Sequence, residues 1–342
     1  MKKIIALLII TTTLLSCSKT NFVFMTVTEP APVTIPKYIT KVGIINRSKP
    51  DSDNRVVNTL DKILSVKSAQ LDIDGSKECI RGLKDELVSS NFFPTVISLD
   101  SLNLTSTSNP DIFQTPLSWD EVEKICNENN VDAIFSLELF HSSTKINAGI
   151  NPAGKGTITG LPLVNFNASL DITVNTGWRI YDPQNKLILD EYPISQNMTF
   201  SGNGVNPAAA ASALLSRHDA VKQTGYKVGQ EYADRIIPYN IRVSREYFVR
   251  GSDNFKTAKR MAQAGNWQDA GTLWKKETLN PNRKIRGRAC YNMAIINEIN
   301  GNIDSAMVWA QKAYIEDNIR LALRYVNILK DRKNDNAVLK SQ

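Results

Sequence analysis

Val164-Asn165-Phe166-Asn167-Ala168-Ser169-Leu170-Asp171-Ile172-Thr173-Val174-Asn175 places an apolar residue at every even position and a polar one at every odd position. A period of two belongs to a strand with one buried face and one wetted face. Trp178 and Ile180 carry the run to a turn at Asp182-Pro183-Gln184-Asn185. Lys186 to Phe200 then returns, which predicts a long hairpin. Two surroundings suit it. One is a sheet whose apolar face packs on helices. The other is a bilayer, because the run meets the ~9–11 residues that a spanning strand needs.

The flanking sequence supplies strands and helices in alternation. Upstream, strands are expected over Lys37–Asn46, Phe92–Leu99 and Val131–Phe140. A helix capped by Asp53 or Asn54 carries Val56, Val57, Leu60, Ile63 and Leu64. A second helix after Gly75 carries Cys79, Ile80, Leu83 and Leu87, and Ser101 to Pro116 reads as a polar loop. Ser118-Trp119-Asp120-Glu121 is a capping box, with Val122, Ile125 and Cys126 on the apolar side of its helix and Asn129-Asn130 at the end. Downstream, Asn206-Pro207 opens one long helix. Its stripe is Leu214, His218, Val221, Gly225, Val228, Tyr232 and Ile236. The order implies an α/β-layered domain with a long hairpin over 37–249.

The remainder, 250–332, reads as all helix. Gly265-Asn266-Trp267-Gln268-Asp269-Ala270 recurs as Gly301-Asn302-Ile303-Asp304-Ser305-Ala306, 36 residues on. Each Gly-Asn makes a turn between two helices. Ala270 and Ala306 are small enough for close packing. Trp274, Ala294, Trp309, Ala310 and Ala313 fall at interior helical spacing. The pattern resembles the tetratricopeptide family over Asp253 to Lys330, whose period is ~34 residues. That resemblance implies a concave surface for a peptide or protein. Glu277 departs from it, standing where a small residue is usual. The fold class expected is therefore α+β followed by an all-α, tetratricopeptide-like domain, with a disordered tail over 333–342.

At the other end, Lys2-Lys3, an apolar run from Ile4 to Ile10 and Leu14-Leu15-Ser16-Cys17 form a lipoprotein signal, 1–16. The run is too short to span a bilayer. Cys17 is the expected site of lipid attachment. Acyl chains add ~0.8 kcal/mol per buried CH₂, and more than one is needed for firm anchoring. No Asp follows Cys17 and no acidic cluster follows it. By analogy with sorting rules this suggests the outer membrane, on its periplasmic side. Pro30, Pro32 and Pro36 then suggest an extended tether over 17–36.

The chain has a net charge of +7. From Ile241 to Gln342 there are 19 Lys and Arg against 10 Asp and Glu. That excess suits an acidic partner or an anionic membrane. Its alternation with acids and apolar residues also suits a solvated helical face. Nucleic acid is not among the expected partners. Cys79, Cys126 and Cys290 sit in apolar stripes and read as buried free thiols. There is no C-x-x-C, and with only His141 and His218 a zinc site is not expected. No cofactor is expected.

Catalytic signals are weak. Gly149-Ile150-Asn151-Pro152-Ala153-Gly154-Lys155-Gly156 approaches a phosphate-binding loop. Gly156 stands where Ser or Thr should hold Mg²⁺, and strand residues follow where a helix is required. His218, with Asp219, Ser212 and Ser216 nearby, lies in the apolar stripe and reads as a core histidine. No G-x-S-x-G occurs.

The order of elements is similar to the periplasmic domain of curli-secretion lipoproteins and to the N-terminal domain of TolB. Gly229 to Pro238 and Arg245-Glu246-Tyr247-Phe248 resemble a segment of uncharacterised Bacteroidota lipoproteins with a tetratricopeptide tail. The resemblance implies architecture and address, and carries no catalytic residues. The expected protein is a lipid-anchored, non-enzymatic scaffold that binds a protein or peptide through its repeats. The alternative is an oligomeric, secretion-type lipoprotein that self-associates and inserts the Val164–Asn175 hairpin into the outer membrane.

Overall fold

The computed structural model describes residues 19–48, 59–100, 102, 113–152 and 164–341. Cys17, the signal 1–16 and most of the loop around Lys155 lie outside the described residues. The chain divides into two compact units, one formed by 31–238 and the other by the segments before Ala31 and after Pro238. The architecture is α+β: a mixed sheet with helices, and a C-terminal region made of helices.

The chain opens with strand β1 (Thr20–Glu29), which belongs to the second unit. The first unit follows with β2 (Lys41–Asn46), helix α1 (Thr59–Ser89), β3 (Thr95–Ser98), α2 (Trp119–Asn129), β4 (Ala133–Pro152), β5 (Val164–Asp182), β6 (Leu187–Gly204), α3 (Pro207–Ser212) and α4 (Arg217–Ala233). Its sheet runs β3-β2-β4-β5-β6. The inner strand β2 is parallel to both β3 and β4, and Val42, Ile44 and Ile45 are buried on its two faces. A strand covered on both sides reads as a continuous apolar run, which is why Val42 to Ile45 shows no alternation.

β4, β5 and β6 form the antiparallel hairpin system, with Leu170 opposite Ile146 and Phe200. Leu170, Ile172 and Val174 are 2%, 0% and 0% exposed, so the even face of β5 is spent inside the protein. Val221, Val228 and Tyr232 of α4 and Cys79, Ile80 and Leu83 of α1 share their core. Trp178 stacks on Tyr232 with ring centres 4.8 Å apart. On the opposite face, α2 packs Val122, Ile125 and Cys126 against Ile45, Ile134 and Tyr181. The capping box forms: the Glu121 backbone N–H donates to Ser118 Oγ at 3.3 Å and the Ser118 N–H to Glu121 Oε2 at 3.1 Å.

Three local expectations differ from the structure. The two helices expected before and after Gly75 are one, α1. It continues through Gly75, where a Cβ would meet Phe140 of β4 and Val221 of α4 at under 3 Å, so this glycine permits close packing and does not mark a helix boundary. The single helix from Asn206 is two. Asn206 caps α3, and Ser216 opens α4 by accepting the Asp219 N–H at 3.1 Å. His218 is consequently in the first turn of α4 and half-exposed, where its Nε2 lies 3.2 Å from Asp74, and it is not a core residue.

The second unit corrects the tether and the boundary at 249. Thr20–Glu29 is β1, paired antiparallel along its whole length with β7 (Tyr239–Phe248). Its odd residues Val23 and Val27 are buried. Ala31, Val33 and Ile35 are buried in the first unit, with the Val33 N–H donating to the Arg235 carbonyl at 2.9 Å. Five helices follow: α5 (Asp253–Gln263), α6 (Trp267–Glu277), α7 (Arg283–Ile299), α8 (Ile303–Ile315) and α9 (Arg320–Ser341). The expected tail over 333–342 is the last part of α9 up to Ser341. Lys333 there meets Asp304 at 2.7 Å.

Candidate docking surface of the helical unit

The repeated Gly-Asn turns superpose chemically. Gly265 has φ +86° and Gly301 φ +76°, a region that favours glycine. After α5, the Asn266 N–H reaches the Met261 carbonyl at 2.8 Å and the Gly265 N–H the Ala262 carbonyl at 3.1 Å. After α7, the Asn302 N–H reaches the Asn297 carbonyl at 2.8 Å and the Gly301 N–H the Glu298 carbonyl at 2.9 Å. This is the double-bonded helix stop that a left-handed residue permits.

The residues singled out in sequence build these hairpins from within. Ala270, Trp274, Ala294, Ala306 and Ala313 are fully buried. Gly265 and Gly301 are exposed at the turns, and Trp267 and Trp309 are half-buried. Trp267 and Trp274 come together with Tyr247 of β7, at ring distances of 5.2 Å and 5.8 Å from it. Trp309 stands apart, with Lys312 5.7 Å from its ring centre. Ala270, Trp274, Ala294, Ala306 and Ala313 therefore shape the hairpins from inside and do not face solvent.

Sequence reasoning missed the polar residues that bind β7 to the helices. Asn292 of α7 is wholly buried, accepts the Phe248 N–H at 2.7 Å and donates to the Phe248 carbonyl at 2.7 Å, as a neighbouring strand would. Arg245 makes two 2.8 Å bonds to Glu298, and Tyr325 of α9 donates to the same carboxylate at 2.5 Å. Burial, then Glu298, pushes the Tyr325 phenol well above its ordinary value. Glu277 explains its own departure from the repeat: it accepts from Ser252 at 2.8 Å, Asn254 at 2.6 Å and Asn280 at 2.7 Å, tying the start of α5 to the end of α6. A buried carboxylate in a mostly apolar stripe was the available signal.

Two surfaces remain open. The first is a groove of about 860 Å³ along the start of α5, lined by Arg250, Ser252, Asp253, Lys256, Lys259 and Arg260 among others. Asp253 pairs with Lys256 at 2.9 Å. Arg250 and Lys259 have no carboxylate within ion-pair distance among the described residues. Below the groove, Arg288 is 8% exposed and donates to the Arg250 carbonyl at 2.7 Å. Burial pulls its guanidinium below its usual pKa. The local field is therefore strongly positive and suits carboxylates or phosphates. The second surface is the outward side of the β1–β7 ribbon, where Phe22 and Phe24 are 55% and 58% exposed.

The first unit has its own polar cluster, and it is sealed. Glu138 is fully buried between Arg47, at 2.6 Å, and Arg179, at 3.6 Å, and accepts from the Tyr181 hydroxyl at 3.0 Å. Arg47 and Arg179 also donate to the carbonyls of Thr115 and Gln114. The cluster pins the segment before α2 to the sheet. His218 does not assemble a catalytic set: Ser216 Oγ bonds to Asp219 at 2.6 Å and Ser212 Oγ to the Ala209 carbonyl at 3.0 Å. The thiols are buried as expected. Burial raises the pKa of all three, to about 12 for Cys126 and about 11 for Cys290. Among the described residues no helix is long and apolar enough to cross a membrane.

Known proteins add the following. Residues 256–331 match a family model described as "Domain of unknown function (DUF6340)". No curated protein matches the chain. Among solved structures, two PelC dodecamers from Paraburkholderia phytofirmans, one of them a leucine-to-methionine variant, are similar at 8% and 10% identity with TM-scores of 0.23 and 0.22. The overlaps cover 64% and 61% of this chain and 99% and 96% of those chains. Over residues 39–248, more than half its length, the chain belongs to the family described as "Domain of unknown function (DUF8603)".

Proposed function

We propose that this chain is a lipid-anchored, non-enzymatic protein of the outer membrane, facing the periplasm, that holds an acidic segment of a partner protein in the α5 groove. Cys17 supplies the anchor. The observation that carries the binding role is the groove itself, where Arg250 and Lys259 present charge with no carboxylate within ion-pair distance among the described residues. A periplasmic face crowded with such charge attracts acidic chains, and steering of this kind sets partner choice as well as association rate.

The test is site-specific photo-cross-linking in intact envelopes from a reactive residue replacing Gln263, which lines the groove. Combined Arg250→Glu, Lys256→Glu and Lys259→Glu should reduce the adduct by about tenfold or more. The pair Lys275→Glu and Lys276→Glu, on the exposed side of α6, should leave it unchanged. Equal adducts in all three proteins would remove the groove from consideration.

Self-association is a second reading with one observation in its favour. Strand β6 ends the sheet, so its 18 residues offer an edge unpaired among the described residues. Long open edges are templates for another strand. The apolar side of the hairpin, by contrast, is occupied by α1 and α4.

A further inference from the structure

The exposed phenyl rings and the anchor belong to one short stretch of chain. Cys17 precedes the first paired residue of β1, Thr20, by three residues. Three residues span at most about 10 Å. β1 is locked to β7 by a continuous register from Thr20↔Phe248 to Glu29↔Tyr239. Whatever surface holds the acyl chains therefore lies within about 10 Å of the start of a rigid ribbon.

The ribbon has two different faces. Val23, Met25 and Val27 point inward, and Val23 shares the core with Tyr247 and Trp274. Phe22 and Phe24 point outward and are each more than half exposed, with Phe22 at the rim of a cleft beside Leu321 and Ile328 of α9. The Arg242 guanidinium sits 4.8 Å above the Phe24 ring, and Lys19 is exposed at the ribbon's start. Glu246, opposite Phe22, is the one acid among the outward positions of β7 and is half-buried. Aromatic rings beside cations, on a surface tied close to a bilayer, match the composition of interfacial anchors.

We propose that the end of the outward β1–β7 face nearest Cys17, through Phe22, Phe24 and the Arg242 side chain over Phe24, seats on the phospholipid surface that holds Cys17. The proposal rests on the lipid anchor read from the sequence. A bilayer is favoured over a protein partner because only three residues, at most about 10 Å of chain, separate Cys17 from Thr20. The ribbon of the second unit is then held against the membrane.

The test uses the full acylated chain in vesicles of phosphatidylethanolamine and phosphatidylglycerol, with and without brominated acyl chains. Phe24→Trp adds a reporter at the proposed contact. Thr28→Trp adds one on the same face about 13 Å further along the strand. The wild type supplies the background of its five native tryptophans. The emission gained by Phe24→Trp should fall by about half or more with brominated lipid, since interfacial groups sit within the quencher's reach. The emission gained by Thr28→Trp should not change, and Phe22→Trp should repeat the Phe24 result. A thiol count in denaturant keeps the two ideas apart. Acylation leaves three of the four cysteines reactive. Four reactive thiols would overturn the anchor and the seating together. Three thiols with no quenching at positions 22 and 24, or equal quenching at 28, would overturn the seating alone. Protection of those rings by an added protein, without quenching by lipid, would do the same.

Discussion

Asp132 sits just ahead of β4 and accepts the backbone N–H groups of Thr40 and Lys41, each at 2.8 Å, and the Thr40 hydroxyl at 2.9 Å. Partial burial pushes its carboxyl up, but these donors and the Lys41 charge outweigh that, and the net effect holds it below the usual carboxylate range. A carboxyl with a lower pKa folded than unfolded binds fewer protons in the native state, so its contribution grows with pH. That contribution is complete above the unfolded value of ~3.9 and disappears as pH falls through the folded value. Asp132→Ala should lower stability by about 1–2 kcal/mol at pH 6, because two backbone donors lose their acceptor. Urea midpoints of the two proteins should converge as the pH is lowered below ~3.9. A gap that stays constant into acid would assign the loss to packing and not to the charge.

Between elements, glycine decides how closely helices approach. A Cβ at Gly229 of α4 would lie 1.9 Å from the Cys79 carbonyl oxygen, and one at Gly82 of α1 would lie 2.0 Å from the Tyr226 carbonyl oxygen. Backbone cannot yield as a side chain can, so Gly229→Ala should cost about 3 kcal/mol. Gly271, in α6, is also buried, yet its Cβ would meet Ile296 at 3.4 to 3.6 Å, which is ordinary contact. Gly271→Ala should therefore stabilise by about 0.5–1 kcal/mol through helix propensity alone. Chemical denaturation of the two variants checks both signs, and a loss at Gly271 would contradict the packing described. The contrast marks what can be read from a sequence. Val164–Asn175 announces its strand because period two is a local property. The Gly265 and Gly301 turns announce themselves because the motif repeats. Gly225 read only as a member of the apolar stripe and the packing role of Gly229 was silent, since their partners Gly75 and Cys79 lie about 150 residues away. Asn292 was silent for the same reason: one buried amide has no local pattern, and its partner at Phe248 is known only once β7 has been placed.

At the scale of the whole chain, β1 was hidden by distance and by disguise. Its partner β7 is more than two hundred residues away, and three prolines just after it suggested a spacer. Once paired, it shows that 31–238 interrupts a second unit whose two parts meet in register. Glu29 lies opposite Tyr239, whose hydroxyl donates to the Glu29 carboxylate at 3.1 Å. The open ends of that ribbon are therefore positioned as the ends of a hairpin. Among the described residues, the core of the second unit, from Val23 and Tyr247 to Trp274, Cys290 and Leu329, is built from that unit's own side chains. Removing Pro30–Pro238 and joining Glu29 to Tyr239 through Asn-Gly, the pair preferred in two-residue hairpin turns, should leave a unit that folds alone. Circular dichroism should show a helical protein with one cooperative urea transition. Fragment 239–342 without β1 should be less stable, because the inner face of β7 loses its partner strand and Val23 leaves the core. A gradual transition with dye-binding hydrophobic surface in the joined protein would mean that the helices need 31–238 to fold.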